Sequence, residues 1–247
     1  MNDAAQLLRD LYGERAPDVD ERVLAALRTY APPAPERARD LRARLPEPHR
    51  RLLDRSDGLD RLAGSYRLFG AGPDGLRDMA WWNERETWRF AWGERADGYL
   101  FVGESVLGNQ YAYREDDLAR GGDAVPVHEL YAVTLEPIVQ FDDFDEFLRQ
   151  VFLSEEPGDP YHRRIASARR QMGAFALDQV LIFVPSPLLS GGRLEGLELA
   201  PVPAVAAMTI NGDLYTQLAH RSDLNGLQNL EPYDDERGRA RLRAVWS

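Results

Sequence analysis

The chain has 247 residues, 44% of them hydrophobic and 29% charged, with a mean hydropathy of -0.47, enough for one large domain or two small ones with real cores. It has no cysteine, which excludes disulfides, thiolate metal sites and a cysteine nucleophile. All 30 basic residues are arginine, which excludes a Walker-type phosphate loop and Schiff-base chemistry. The net charge of -11 argues against nucleic acid and anionic membrane as partners and for a basic protein.

Residues 31–155 carry most of the acidity, 24 acids against 16 arginines, and proline-rich breaks flank them at Ala31–Pro35 and Glu155–Pro160. The expected organisation is therefore a helical extension over 1–30, a domain over 31–155 and a further segment over 156–247. No apolar run reaches membrane-spanning length, and Met1, Asn2 and Asp3 lack the basic start of a secretory signal, so the expected compartment is the cytoplasm.

Helical spacing of apolar residues predicts helices over Ala4–Tyr12 and Val19–Tyr30. Pro35 then opens a helix from Glu36 to about Arg44, and "PHRRLLDRSDGL" gives another, stopped at Asp57-Gly58. Ser65–Phe69 reads as a half-buried strand ended by Gly70 and Gly72-Pro73. Beyond it, Asp74 is a candidate cap for a helix that sets Trp81, Arg85, Trp88 and Trp92 on one face. Large aromatics on one face point to core, which leaves Trp82, a helical step away, as the exposed tryptophan. "GYLFVGES", "NQYAYR" and "VHELYAVTLEPIVQF" are strand candidates joined by Gly108-Asn109 and Gly121-Gly122-Asp123. In "FDDFDEFLRQVFL", Phe141, Phe144, Phe147, Leu148 and Val151 form a helical stripe, with Asp142, Asp143, Asp145 and Glu146 placed to favour the helix dipole.

The order of these features resembles the SUKH superfamily (Smi/Knr type) over about residues 35–153: "LP...LL..SDG" from Leu45 to Gly58, a strand like "YRLFG", a tryptophan-bearing helix, "VLGNQYAYR" and a closing helix like "FDDFDEFL". Gly108-Asn109 stands where that family more often has Gly-Asp. The resemblance implies an α+β fold, an antiparallel sheet covered by helices. It also implies an immunity role, in which the protein binds and neutralises a polymorphic bacterial toxin.

Residues 156–247 are expected to form a further α+β segment. His162–Phe175 suits a helix and "QVLIFVP" a buried strand. In "VAAMTINGDLYTQL", Asn211-Gly212 has the chemistry of a type I′ hairpin turn, and "LQNLEPYDDERGRARLRAVW" can turn at Asp235–Gly238.

Catalytic patterns are weak. His49, His128, His162 and His220 lack metal-ligand spacing, "GESVLG" around Ser105 is not a nucleophile elbow, and the aspartates of "FDDFDEF" lack the glycine of a calcium loop. Asp116 and Asp117 are a candidate acid pair, although adjacent side chains diverge. Three functions are compatible with the sequence: a non-enzymatic protein-binding module of the immunity type, a scaffold or regulatory module of the same fold, and a hydrolase using paired acids. For the first, the expected partner is a basic toxin domain, and no cofactor or metal is expected. The candidate partner-binding residues are Trp82 as aromatic anchor with Glu115, Asp116, Asp117, Asp142, Asp143 and Glu146 as acids.

Overall fold

A computed structural model of the protein describes residues 3–34, 36, 38–72, 77–156, 161–173, 176–221 and 223–247. Asp74, the candidate cap, and Pro35, the candidate helix opener, lie outside them. The fold is α+β. Seven strands follow one another in the sheet in chain order, each antiparallel to the next: β1 (Leu27–Thr29), β2 (Leu59–Arg61), β3 (Tyr66–Leu68), β4 (Tyr99–Ser105), β5 (Gln110–Arg114), β6 (Val127–Leu130) and β7 (Pro137–Phe141). The helices are α1 (Asp3–Tyr12), α2 (Glu21–Ala25), α3 (Arg39–Arg44), α4 (Glu47–Leu53), α5 (Met79–Trp82), α6 (Glu115–Arg120), α7 (Phe144–Phe147), α8 (His162–Met172) and α9 (Ala204–Leu218).

Side chains alternate between the two faces of a sheet, and helices cover both faces here. One face presents Tyr111, Tyr113 and Phe141 to α4, α7 and the π-helical turn Leu148–Leu153 that continues α7. Phe147 meets the rings of Tyr111 at 4.9 Å and Phe141 at 5.4 Å, while His49 of α4 stacks on Phe144 at 4.3 Å. The other face presents Phe101, Gln110, Arg67 and Glu104 to the tryptophan segment. There Trp88 meets Phe101 edge-on at 4.9 Å, and Trp82 Nε1 donates to Gln110 Oε1 at 2.9 Å. Trp88 and Phe147 are fully buried, as their spacing predicts.

The tryptophan segment departs from the expected helix. α5 is a single turn, capped by Asp78, and the chain turns again before the 3-10 stretch Arg89–Ala96, which Gly93 breaks with φ 59°. A helical wheel does not run through this segment. Trp82 therefore lies in the core while Trp81 is 43% exposed, the reverse of the periodicity reading.

Three further expectations change. Val19–Tyr30 is α2 followed by β1, and "VHELYAVTLEPIVQF" is two strands, its hairpin closed by Tyr131 N–H donating to Glu136 O at 2.8 Å. Asn211-Gly212 lies inside α9. Gly212 is needed there for close approach: a Cβ would stand 2.8 Å from Cδ1 and Nε1 of Trp92, whose Nε1 donates to Met208 O at 2.8 Å.

The three expected units do not separate. β1, from the first, is an edge strand of the common sheet. Val180, Leu181 and Phe183 of β8 (Gln179–Val184) and Ala204, Ala207 and Met208 of α9 share one core with it. β8 pairs with β9 (Glu198–Pro203), and Leu181 N–H donates to Val106 O at 2.6 Å. The hairpin of β10 (Leu227–Asp234) and β11 (Ala240–Trp246) forms as its turn residues predict. Side chains of α9 complete the outer edge of β11: Asp213 accepts from Leu242 N–H at 2.8 Å, and Gln217 accepts from Ala244 N–H at 2.8 Å and donates to Leu242 O at 2.9 Å.

Candidate functional site

Strand order brings the predicted acids together. β5 and β7 are both antiparallel to β6, so they run the same way and end at the same edge of the sheet. α6 starts directly after β5 and α7 shortly after β7, which sets the two acidic helix starts two strand spacings apart, roughly 10 Å. A recess of about 280 Å³ lies between α6 and the α3–α4 corner, lined by Arg44, Pro46, Glu47, Glu115, Leu118 and Asp123 among others. On the other side of α4 a larger cleft of about 690 Å³ is bounded by Tyr12, Glu14, Arg51, Phe144 and Asp145.

Most of these carboxylates already have work within the fold. Asp143 caps α7 by accepting from Glu146 N–H at 2.7 Å, and Glu146 reaches back to accept from Asp142 N–H at 2.6 Å, a variant of the capping box in which the return bond goes to the residue before the cap. Glu146 also accepts from Gln150 Nε2 at 2.9 Å, and Asp145 accepts from the Tyr12 hydroxyl at 2.9 Å. Burial, followed by the Asp145 charge, raises the Tyr12 pKa above its usual value. Glu115 is ion-paired with Arg44, and Asp117 with Arg120. Asp116 and Asp142 are exposed, and their side chains are not paired with any other side chain among the described residues.

The acid pair of the hydrolase reading does not converge. Asp116 faces solvent while Asp117 is half-buried and lies 3.9 Å from His128 Nε2. His128 is buried with neither ring nitrogen hydrogen-bonded among the described residues, and burial, then the charge of Arg114, lowers its pKa. His49 is fully enclosed, its Nδ1 3.2 Å from the Tyr113 hydroxyl, and burial pushes its pKa down to about 3, so it is neutral. Among the described residues, no group of three His, Asp or Glu side chains is arranged to hold a metal ion.

Trp82 has no place on this rim. It is buried on the opposite sheet face, with the Arg77 guanidinium 4.3 Å from its ring centroid. Sequence reasoning also missed the cluster around it. Glu104 sits between Arg67 at 2.8 Å and Arg77 at 2.6 Å, Arg67 and Glu104 fully buried and the Arg77 side chain 7% exposed, and the two arginines donate onward to the carbonyls of Ala176 and Leu177, both at 3.2 Å. The cluster fastens the C-terminal segment to the sheet. No local signal announces it, because residues 67, 77, 104, 176 and 177 meet only in the folded chain.

No helix among the described residues is long and apolar enough to cross a membrane. No family model matches the chain, and no curated protein matches it. Among solved structures it is similar to Atu4351 from Agrobacterium tumefaciens, known from a crystal structure, at 14% identity and a TM-score of 0.46, over 88% of this chain and 92% of that one. That likeness is too distant to bear on function.

Proposed function

We propose that the protein is a non-enzymatic, cytoplasmic protein-binding module of the SUKH type, and that it neutralises a basic toxin domain by direct contact with the sheet end where α6 and α7 begin. One observation carries the reading: the topology gathers two acidic helix starts at a single end, and Asp116 and Asp142 are exposed there without a side-chain partner among the described residues. The net charge of -11 and the concentration of acids in residues 31–155 support it. So does the order of elements quoted for the resemblance, from the Gly108-Asn109 turn between β4 and β5 to the helix that closes over Phe147.

Exposed charges of this kind govern encounter more than residence. Their field reaches about 10 Å at 0.1 M salt, and buried anchors set the dissociation rate. Asp116→Lys with Asp142→Lys leaves the capping box and the Arg44 pair intact. Against a toxin domain encoded beside this chain, the double variant should associate roughly tenfold more slowly at low salt. The difference should shrink as salt rises, and co-expression should protect cells less well. Identical association rates at every salt concentration would remove the acidic rim from the mechanism.

A further inference from the structure

The seven-stranded sheet has two edges, and they are treated differently. β1 is three residues long and is packed by α1 and α2. β7 is five residues long, "PIVQF", with Pro137, Ile138 and Gln140 exposed and no charged side chain along it. Ile138 is 38% exposed. The phase of the ladder follows from Tyr131 N–H, which donates to Glu136 O at 2.8 Å. Alternation then directs Glu129 and Val127 of β6 at Val139 and Phe141, and turns the N–H and C=O of Gln140 outward. An open edge of this kind is a template for another strand, and natural sheets usually blunt such edges with lysine, proline or a cover. Pro137 at its start and the bulge that the register shift between Glu129 and Leu130 places at Ile138 blunt part of this one, and leave the N–H and C=O of Gln140 open.

Charge selects the occupant. The edge ends at the exposed Asp142, while Glu136 at its start is 63% exposed in its side chain and ion-paired with Arg95 at 3.2 Å. A second copy of this chain would bring another net charge of -11 to the contact. An extended segment with an uncharged, β-prone centre and basic residues, one of them beside Asp142, meets the opposite sign.

We propose that β7 accepts such a basic extended segment of a partner protein as an eighth strand of the sheet. The inference rests on the protein-binding reading above, and adds to it that the partner is held by backbone pairing as well as by surface charge.

The probe is a fluorescein-labelled peptide with arginines flanking a threonine–valine core, titrated against the full chain by fluorescence anisotropy. Two N-methylated versions accompany it, one methylated at the residues whose N–H faces β7 and one at the residues whose N–H faces away. Methylation on the facing side should weaken binding on the order of tenfold or more, and methylation on the far side should leave it unchanged. Gln140→Pro, which removes an outward N–H and no ladder bond, should weaken the unmodified peptide to the same degree with the melting curve retained. Should that variant fail to fold, the methylated pair decides alone, since it leaves the protein unaltered. Equal binding of both methylated peptides, or no binding of the unmodified one, overturns the eighth strand. Equal binding that nevertheless falls with Asp142→Lys overturns the strand and leaves the acidic rim standing. A dimer of the free chain in sedimentation, abolished by Gln140→Pro, overturns the choice of occupant.

Discussion

Gly212→Ala tests the close contact between α9 and the tryptophan segment. In an exposed helix the change stabilises by about 1 kcal/mol, because glycine is the poorer helix former. Here the added methyl would stand 2.8 Å from Cδ1 and Nε1 of Trp92 and 3.0 Å from the Ala91 carbonyl carbon, closer than carbon atoms pack. The indole cannot swing aside freely. Its Nε1 is bonded to Met208 O at 2.8 Å, its ring stacks on Tyr215 at 5.7 Å, and the residue is 1% exposed. Overpacking a filled core costs about 1–3 kcal/mol, and straining or losing the indole hydrogen bond adds about 1 kcal/mol. The net expectation is a destabilisation of roughly 1–3 kcal/mol, a fall in Tm of roughly 2–12 °C for a chain of this size, read by calorimetry or circular dichroism. In a Trp92→Phe background, which removes the Nε1 group and half the ring system, the same substitution should be neutral or stabilising. The two sites would then show coupling. A Tm that rises on Gly212→Ala in the wild-type background would refute the close approach of α9 to the tryptophan segment.

The adjacent tryptophans should behave oppositely. Trp81→Ala, at a residue 43% exposed, should change stability by less than about 1 kcal/mol. Trp82→Ala should cost roughly 3–5 kcal/mol, because it empties a buried site and leaves Gln110 Oε1 without its donor. Denaturant melts of the two variants that coincide would contradict the placement of Trp82 in the core. His49 gives a pH signature. Its folded pKa is depressed to about 3, whereas the unfolded residue takes its proton near pH 6.5. The unfolded chain therefore binds the extra proton between those values. The contribution of His49 is complete above about pH 6.5 and is lost as pH falls toward 3, by at most about 1.4 kcal/mol per pH unit. His49→Phe should flatten the acid side of the stability profile relative to wild type, and parallel profiles would show that His49 is not buried as described.

Wherever the deciding interaction is local, the sequence alone determined the structure. β4, β5 and β8 follow from apolar alternation or from a short apolar run, and the β10–β11 turn follows from the residues Asp235–Gly238. The acidic start of α7 is visible in "FDDFDEF" as charge placed to favour the helix dipole, and the folded chain adds that Asp143 caps the helix through Glu146 N–H. The acids of the candidate rim were legible one by one, but their meeting was not. It depends on β5 and β7 running parallel across β6, a property of the whole sheet. Asn211-Gly212 has the chemistry of a hairpin turn, and only the approach of Trp92 shows why a glycine is needed inside α9. The tryptophans were misassigned for a related reason: the wheel assumes an unbroken helix, and the chain turns twice between Trp82 and Trp92. The tertiary structure alone decided that residues 156–247 join the same core, because Arg67, Glu104 and Arg77 hold the Ala176 and Leu177 carbonyls across about a hundred residues of sequence, a distance over which no local pattern carries information.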